Sequence, residues 1–194
     1  MINPIEWIKR RQHAQGYGIQ SPWAYNFVRN VVCERLPYYG YKDVESVLSP
    51  SIDKRLIKRG RLYFRIANYL QATSWMMYNL SDCQLANYVR AGSLHTTLYQ
   101  YDDNKPHEFH ITTKYDVTVI GERLSHKEAQ LQFCMENNGE SIIIIEGINK
   151  YPHLQQLWNK TLQYPRATVA FDLYYEGIIF CKTNPNKQLY KLIY

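Results

Sequence analysis

Any chemistry in this chain has to come from a few polar residues set among strong strand and helix signals. The stretch Ser74 to Gly92, SWMMYNLSDCQLANYVRAG, reads as a buried strand, a tight turn and a helix. The helix's apolar positions Leu85, Ala86 and Val89 recur at three and four residues before Gly92 stops it. Such a unit holds a nucleotide-like cofactor in many α/β proteins. Glycines line its turn because a missing Cβ permits positive φ and lets the backbone approach the ligand. Here Asn79, Leu80, Ser81, Asp82 and Cys83 fill the turn, and none of them is glycine. Two further acidic groups fall at the carboxyl ends of predicted strands, the edge where α/β proteins usually bind ligands. One is Glu146; the other is Glu122, with His126 and Glu128 just beyond it. Ser125 and Glu128 also make a capping box, so the second group serves equally as a helix start. His107 and His110 could share a metal on a helix, but on a strand residues three apart face opposite ways, and no metal site is expected. No Gly-x-Ser-x-Gly, Walker, paired Cys-x-x-Cys or His-Glu-x-x-His motif occurs, and no catalytic residue is assigned.

The elements that would position these residues alternate strand and helix from Thr73 onward, the pattern of a mostly parallel sheet covered on both faces. Strands are predicted at 74–78, 94–101, 116–120, 141–146, 167–172, 177–182 and 188–193. One helix lies between the third and fourth strands. Another, between the fourth and fifth, has Leu154, Leu157, Trp158, Thr161 and Leu162 on one stripe. The run SIIII at 141–145 is apolar on both faces and so belongs in the middle of the sheet. The link DDNKP at 102–106 is too short for a helical crossover, so a strand at 107–112 would have to fold back as an antiparallel hairpin.

Residues 1–72 are predicted as an N-terminal helical extension packed on the core, 73–194. It opens with an amphipathic helix over 3–13 whose apolar side is Ile5, Trp7 and Ile8. A second helix, capped by Ser21 and opened by Pro22, turns Ala24, Phe27, Val28, Val31 and Val32 inward. A surface connection from Pro37 to Ser51 leads to a longer helix that carries Ile52, Leu56, Ile66, Ala67 and Leu70 inward and that Gly60 can break or bend. Trp7, Trp23 and Phe27 either cap the sheet or form a homodimer contact.

Composition narrows the function classes. Over 194 residues the apolar share of 45% and charged share of 21% are those of a soluble globular protein. No apolar run approaches the ~18 residues needed to cross a bilayer. The N-terminus lacks the features of a signal peptide, so a cytoplasmic location with no membrane partner is expected. Cys33, Cys83, Cys134 and Cys181 lie far apart, as reduced thiols do. The net charge of +6 draws on two clusters, Lys9, Arg10, Arg11 and Lys54, Arg55, Lys58, Arg59, Arg61, Arg65. These read either as solvated helix faces or as an anionic partner's footprint.

Two sequence signatures suggest a family. Gly18, Ile19, Gln20, Ser21, Pro22 and Trp23 follow a Gly-Val/Ile-His-Ser-Pro-Phe loop entering a helix, with glutamine in place of histidine. Thr168 to Leu173, TVAFDL, then Tyr174, Tyr175 and Glu176, then GIIFC at 177–181, follow a Thr-Val-Thr-Ile-Asp-Leu strand, an aromatic turn and Gly-Ile-Val-Phe-Phe. On these motifs the chain resembles a group of bacterial class I S-adenosylmethionine-dependent methyltransferase-like proteins, strongly over 17–28 and 141–194 and weakly between. The resemblance implies a Rossmann-like, methyltransferase-type α/β fold. Its seven-stranded twisted sheet is mostly parallel, with helices on both faces and an antiparallel C-terminal strand beside the fifth. It also implies cofactor contacts at Tyr78, Asn79 and Ser81 after the first strand, at Gln100 near the end of the second, and at Glu146 after the central one.

At each of those points the family pattern is altered. Tyr78 to Cys83 stand where Glu-x-Gly-x-x-x-Gly is expected, and Gln100, with Asp102 and Asp103 beyond, stands for the ribose-binding acid. Ile120, Gly121 and Glu122 replace Ile-Asp-Gly, and Glu146 to Tyr151, EGINKY, replaces Asp-Asp-Ile-His-Trp-Ser. The short 102–106 link leaves out a helix and strand that contribute to an adenine pocket. The expectation is therefore a degenerate methyltransferase-like domain, a pseudoenzyme without a bound cofactor, acting through its surfaces. An active enzyme that uses S-adenosylmethionine in an altered pocket is the first alternative. A basic nucleic-acid-binding module using helix 51–71 is the second.

Overall fold

Seven short runs rich in β-branched and aromatic residues pair into one sheet. The computed structural model describes residues 3–49, 52–80, 82–101, 114–123, 140–182 and 186–194. Its strands are β1 (Ser74–Tyr78), β2 (Thr97–Tyr101), β3 (Val117–Ile120), β4 (Ser141–Glu146), β5 (Ala167–Asp172), β6 (Glu176–Cys181) and β7 (Gln188–Lys191). They lie in the order β2-β1-β3-β4-β6-β5-β7. Every neighbour pair is parallel except those made by β6, which runs antiparallel to both β4 and β5. This is the mostly parallel, Rossmann-like α/β sheet expected from the sequence. The antiparallel strand is the penultimate one, and the short β7 adds a parallel edge beside β5. The proposed hairpin strand at 107–112, the helix opened by Ser125, and with them His107, His110, His126, Glu128 and Cys134, lie outside the described residues.

The SIIII run sits in the middle of the sheet because both of its faces have a core to fill. Ile144 faces one apolar cluster, with Ile142 packed at its side, and Ile143 and Ile145 face the other. The first cluster is covered by helices α2 (Pro22–Phe27), α4 (Lys54–Leu70) and α5 (Leu85–Gly92), the second by α6 (Pro152–Gln163). Leu154, Leu157, Trp158 and Thr161 form the buried stripe of α6, as their spacing predicts. The N-terminal helices thus share one hydrophobic core with β1, β3, β4, β5 and β6.

Helix α2 starts where the sequence places it, with the Ser21 hydroxyl accepting from the Ala24 N–H at 3.3 Å and Pro22 at the first position. It runs on as a π-helical turn over Val28–Val32. All five predicted inward residues of this segment are buried. Trp23 and Phe27 pack on the sheet, with ring centroids 4.7 and 5.1 Å from that of Phe180; Phe27 is fully buried and Trp23 half-buried.

One expectation fails here, that of a plain surface connection over 37–51, while the first helix forms where it is predicted. Helix α1 (Pro4–Ala14) turns its apolar side outward: Ile5 is 64% and Ile8 52% exposed, and Trp7 is also exposed. What holds α1 down is Arg10, whose guanidinium makes a two-pronged contact with Asp172 at 2.9 and 2.8 Å and a further hydrogen bond to the Leu192 carbonyl. The connection from 37 to 51 contains a helix, α3 (Tyr39–Glu45), whose Tyr41 and Val44 bury against Phe64 and Tyr88.

Helix α4 is unbroken through Gly60, where α4 and α5 cross. A Cβ on Gly60 would lie 2.3 Å from the Tyr88 ring, which is fully buried and tied by its hydroxyl to Glu45 at 3.3 Å. Alanine gains about 1 kcal/mol in helix propensity but has to displace that ring. Gly60→Ala is therefore expected to destabilise the chain by about 1–3 kcal/mol, measured as a lower urea midpoint at unchanged slope. Among the described residues, no helix is long and apolar enough to cross a membrane.

Candidate functional site

Because β6 is antiparallel, its first residue lies beside the last residue of β4, and the register pairs Glu146 with Glu176. Glu122 follows the end of β3 by two residues, and Asp172 ends β5. Four carboxylates therefore line the carboxyl edge of the sheet. Two arginines from the N-terminal helices meet them. Arg10 of α1 takes Asp172, and Arg59 of α4 takes the other three.

The Arg59 guanidinium is inserted among these carboxylates. Its Nε donates to Glu176 Oε1 at 2.7 Å, its Nη2 to Glu122 Oε1 at 2.9 Å, and its Nη1 lies 3.4 Å from Glu146 Oε2. The remaining oxygens are also taken: Tyr63 donates to Glu146 Oε1 at 2.9 Å, Tyr194 to Glu176 Oε2 at 2.9 Å, and Lys150 to Glu122 Oε2 at 2.6 Å. All six carboxylate oxygens thus have a partner within the chain. Glu146 is 0% and Glu176 3% exposed, so both are closed off from solvent.

The electrostatics favour keeping the cluster as it is. Burial works against the charge on Arg59, but Glu146 and Glu176 outweigh it and raise the guanidinium's pKa above its ordinary value. Burial alone would raise the Glu122 carboxyl. The hydrogen bonds from Lys150 and Arg59 outweigh burial and hold it below the usual carboxylate range. Burial pushes the hydroxyls of Tyr63 and Tyr194 well up, so both remain protonated donors. An acid–base catalyst near neutral pH needs a proton it can exchange there. The groups whose shifts are resolved here have moved away from that range. Glu122, Glu146 and Glu176 are the residues that could hold a cation, and the cation they hold is Arg59. Among the described residues no group of three or more His, Cys, Asp or Glu side chains is arranged to bind a metal ion.

The turn after β1 is a separate locus. Asn79 has φ 46°, and its backbone N–H donates to the Tyr101 carbonyl at 2.9 Å. The Tyr78 carbonyl accepts from the Gly121 N–H at 2.7 Å, so the turn lies directly on the end of β3. The approach is backbone on backbone: a Cβ at Gly121 would sit 1.9 Å from the Asn79 carbonyl oxygen. Leu80 packs against the main core, and the Asp82 carboxylate accepts from the Gln84 N–H at 2.8 Å, just ahead of α5. Asp82 therefore serves the helix start, as its type predicts.

Of the predicted contact residues, Tyr78 is buried and stacks on Tyr101 with centroids 4.9 Å apart. Asn79 is buried beside it, while Ser81 lies outside the described residues. Gln100 is exposed on β2, paired in register with Met77. Glu146 lies two strands from β1, about 10 Å away by strand spacing. Tyr78 and Asn79 therefore lie together at the end of β1, with Gln100 on the neighbouring strand to one side and Glu146 two strands away on the other. Sequence reasoning missed Arg59 and Glu176. A signal for Arg59 was present, because positions 59, 63, 66 and 70 share one face of α4, and that face is otherwise apolar or aromatic.

No family model matches the chain, and no curated protein is found as a relative. Among solved structures the chain is similar to an O-methyltransferase from Bacillus cereus in complex with SAH. The TM-score is 0.42 and the identity 9%, over 75% of this chain and 90% of that one. A likeness at that level says nothing about cofactor or substrate.

Proposed function

We propose that this chain is a methyltransferase-like α/β domain whose carboxyl edge is sealed by its own N-terminal helices, so that it no longer takes S-adenosylmethionine and acts through its surface. The observation that carries this reading is the Arg59 cluster, in which every oxygen of Glu122, Glu146 and Glu176 is already bonded within the chain. The β1 turn adds to it. Where a glycine-rich loop would leave backbone open to a ligand, Asn79 and Leu80 rest on Gly121 and on the core. The residues present do not fit the cofactor: Gln100 offers an exposed amide, and Glu146 is engaged by Arg59 and Tyr63.

A thermal-shift titration tests this. A ligand at 100 times its Kd stabilises a native state by about 2.7 kcal/mol, which in a chain of this size raises Tm by roughly 5–10 °C. The expected result is no shift with S-adenosylmethionine or S-adenosylhomocysteine at about 1 mM, a concentration that would saturate any micromolar site. A shift of several degrees with either ligand favours the alternative, an active enzyme with an altered pocket.

A further inference from the structure

We propose that the groove between the N-terminal helices binds single-stranded nucleic acid. The groove has a volume of about 1380 Å³ and runs between α1, residues 29–38, α3, the first half of α4 and the last two residues of the chain. Eight of the chain's 23 Lys and Arg and only two of its 17 Asp and Glu line it. Its excess of positive charge therefore equals the +6 of the entire chain, and the remainder is balanced. A field confined to one concave surface marks an anion's path more specifically than a high overall charge does.

Both acids in the groove are already engaged. Glu34 accepts from the backbone N–H groups of Arg35 and Leu36, and Glu45 holds Arg61 through two contacts of 2.7 Å. Arg65 is turned inward onto the carbonyls of Val31 and Val32, and Lys58 donates to the Tyr194 carbonyl. What remains is Arg29, Arg35, Lys42 and Lys54, all exposed and with no partner among the described residues. Beside them the guanidinium of Arg11 lies over the exposed ring of Trp7, 5.1 Å from its centroid. Four uncommitted cations and an accessible indole are what a phosphate backbone with stackable bases requires. The volume exceeds the roughly 300–1,000 Å³ of small-molecule sites and suits several linked nucleotides. Helix α4 taken alone is not the interface: Arg59 and Arg65 point inward and Arg55 stacks on Tyr175.

The proposal is independent of the cofactor reading, because the groove shares only Tyr194 with the Arg59 cluster. The test is fluorescence anisotropy with a labelled single strand of about 12 nucleotides, within the range such grooves cover. Saturable binding is expected, weakening with salt at a log–log slope near −3, as about four neutralised phosphates would give. Reversing two exposed cations, Arg35→Glu with Lys42→Glu, should lower affinity at least tenfold while circular dichroism stays unchanged, and Trp7→Ala should weaken binding without changing the salt slope. Should the double variant misfold, Arg35→Ala with Lys42→Ala replaces it, with the same direction of effect. No saturable binding at low salt, or binding indifferent to the charge changes, would overturn the proposal. Equal affinity for a duplex, or tighter binding to phosphatidylserine vesicles than to the oligonucleotide, would overturn it as well.

Discussion

Replacing Arg59 with methionine is expected to lower stability by about 3–5 kcal/mol at neutral pH, the scale of removing one partner from a buried ionic cluster. The reason is not that the cluster is strongly stabilising as a whole, since a buried ion pair often only breaks even against apolar filling of the same volume. The loss comes from what the substitution leaves behind. Glu122 would keep its contact with Lys150, while Glu146 and Glu176 would lose the guanidinium that lies between them. The pH dependence separates this mechanism from a simple packing defect. In the native chain the Glu122 pKa is depressed below its ordinary 4.5, so the stability it contributes is present above that value and is lost as pH falls through the folded pKa. In the variant the stranded carboxylates have raised pKa values, so the folded state binds more protons and the variant regains stability as pH falls toward 5. Urea unfolding at pH 7.5 and pH 5 should show the native chain nearly unchanged and the variant gaining stability at pH 5, and adding Glu146→Gln and Glu176→Gln to the methionine variant should restore part of the loss.

Gly121→Ala is expected to cost about 3 kcal/mol or more, at the upper end for overpacking, because the atoms in the way are backbone. The added Cβ would lie 1.9 Å from the Asn79 carbonyl oxygen, 2.4 Å from its carbonyl carbon and 2.5 Å from the Leu80 Cα, so no side-chain rotation relieves the clash. The β1 turn would have to lift, which breaks the 2.7 Å bond from the Gly121 N–H to the Tyr78 carbonyl and draws Leu80 out of the core. A loss under about 0.5 kcal/mol, the range of neutral surface changes, would mean that the turn is not docked on β3.

What the sequence revealed and what it concealed divide along the range of the interactions. The strands were legible because β-branched runs such as SIIII carry their own preference and burial pattern, and α2 was legible because Ser21, Pro22 and the inward valines are all local signals. Helix α3 was not: it has two buried apolar residues, and their partners Phe64 and Tyr88 come from other helices. Helix α1 was legible as a helix, but its anchor was not, because the Arg10–Asp172 pair spans 162 positions. The same limit applied at the candidate site. Glu146 stood out as a carboxylate at a strand end, and the altered turn after β1 was visible. Nothing local tied Glu146 to Tyr63, 83 positions earlier, or Arg59 to Glu176, 117 positions later. Arg59 belonged to a basic run and looked solvated. Only its helical phase with Tyr63 and Ile66 argued otherwise.

The most direct measurement of whether the carboxyl edge is sealed is isothermal calorimetry of S-adenosylmethionine and S-adenosylhomocysteine against the wild-type chain. The predicted result is no binding heat with either compound at low or at physiological salt, since the three carboxylates are already engaged by Arg59. A saturable isotherm with a Kd of about 10 μM or tighter, worth roughly 7 kcal/mol or more, would contradict it.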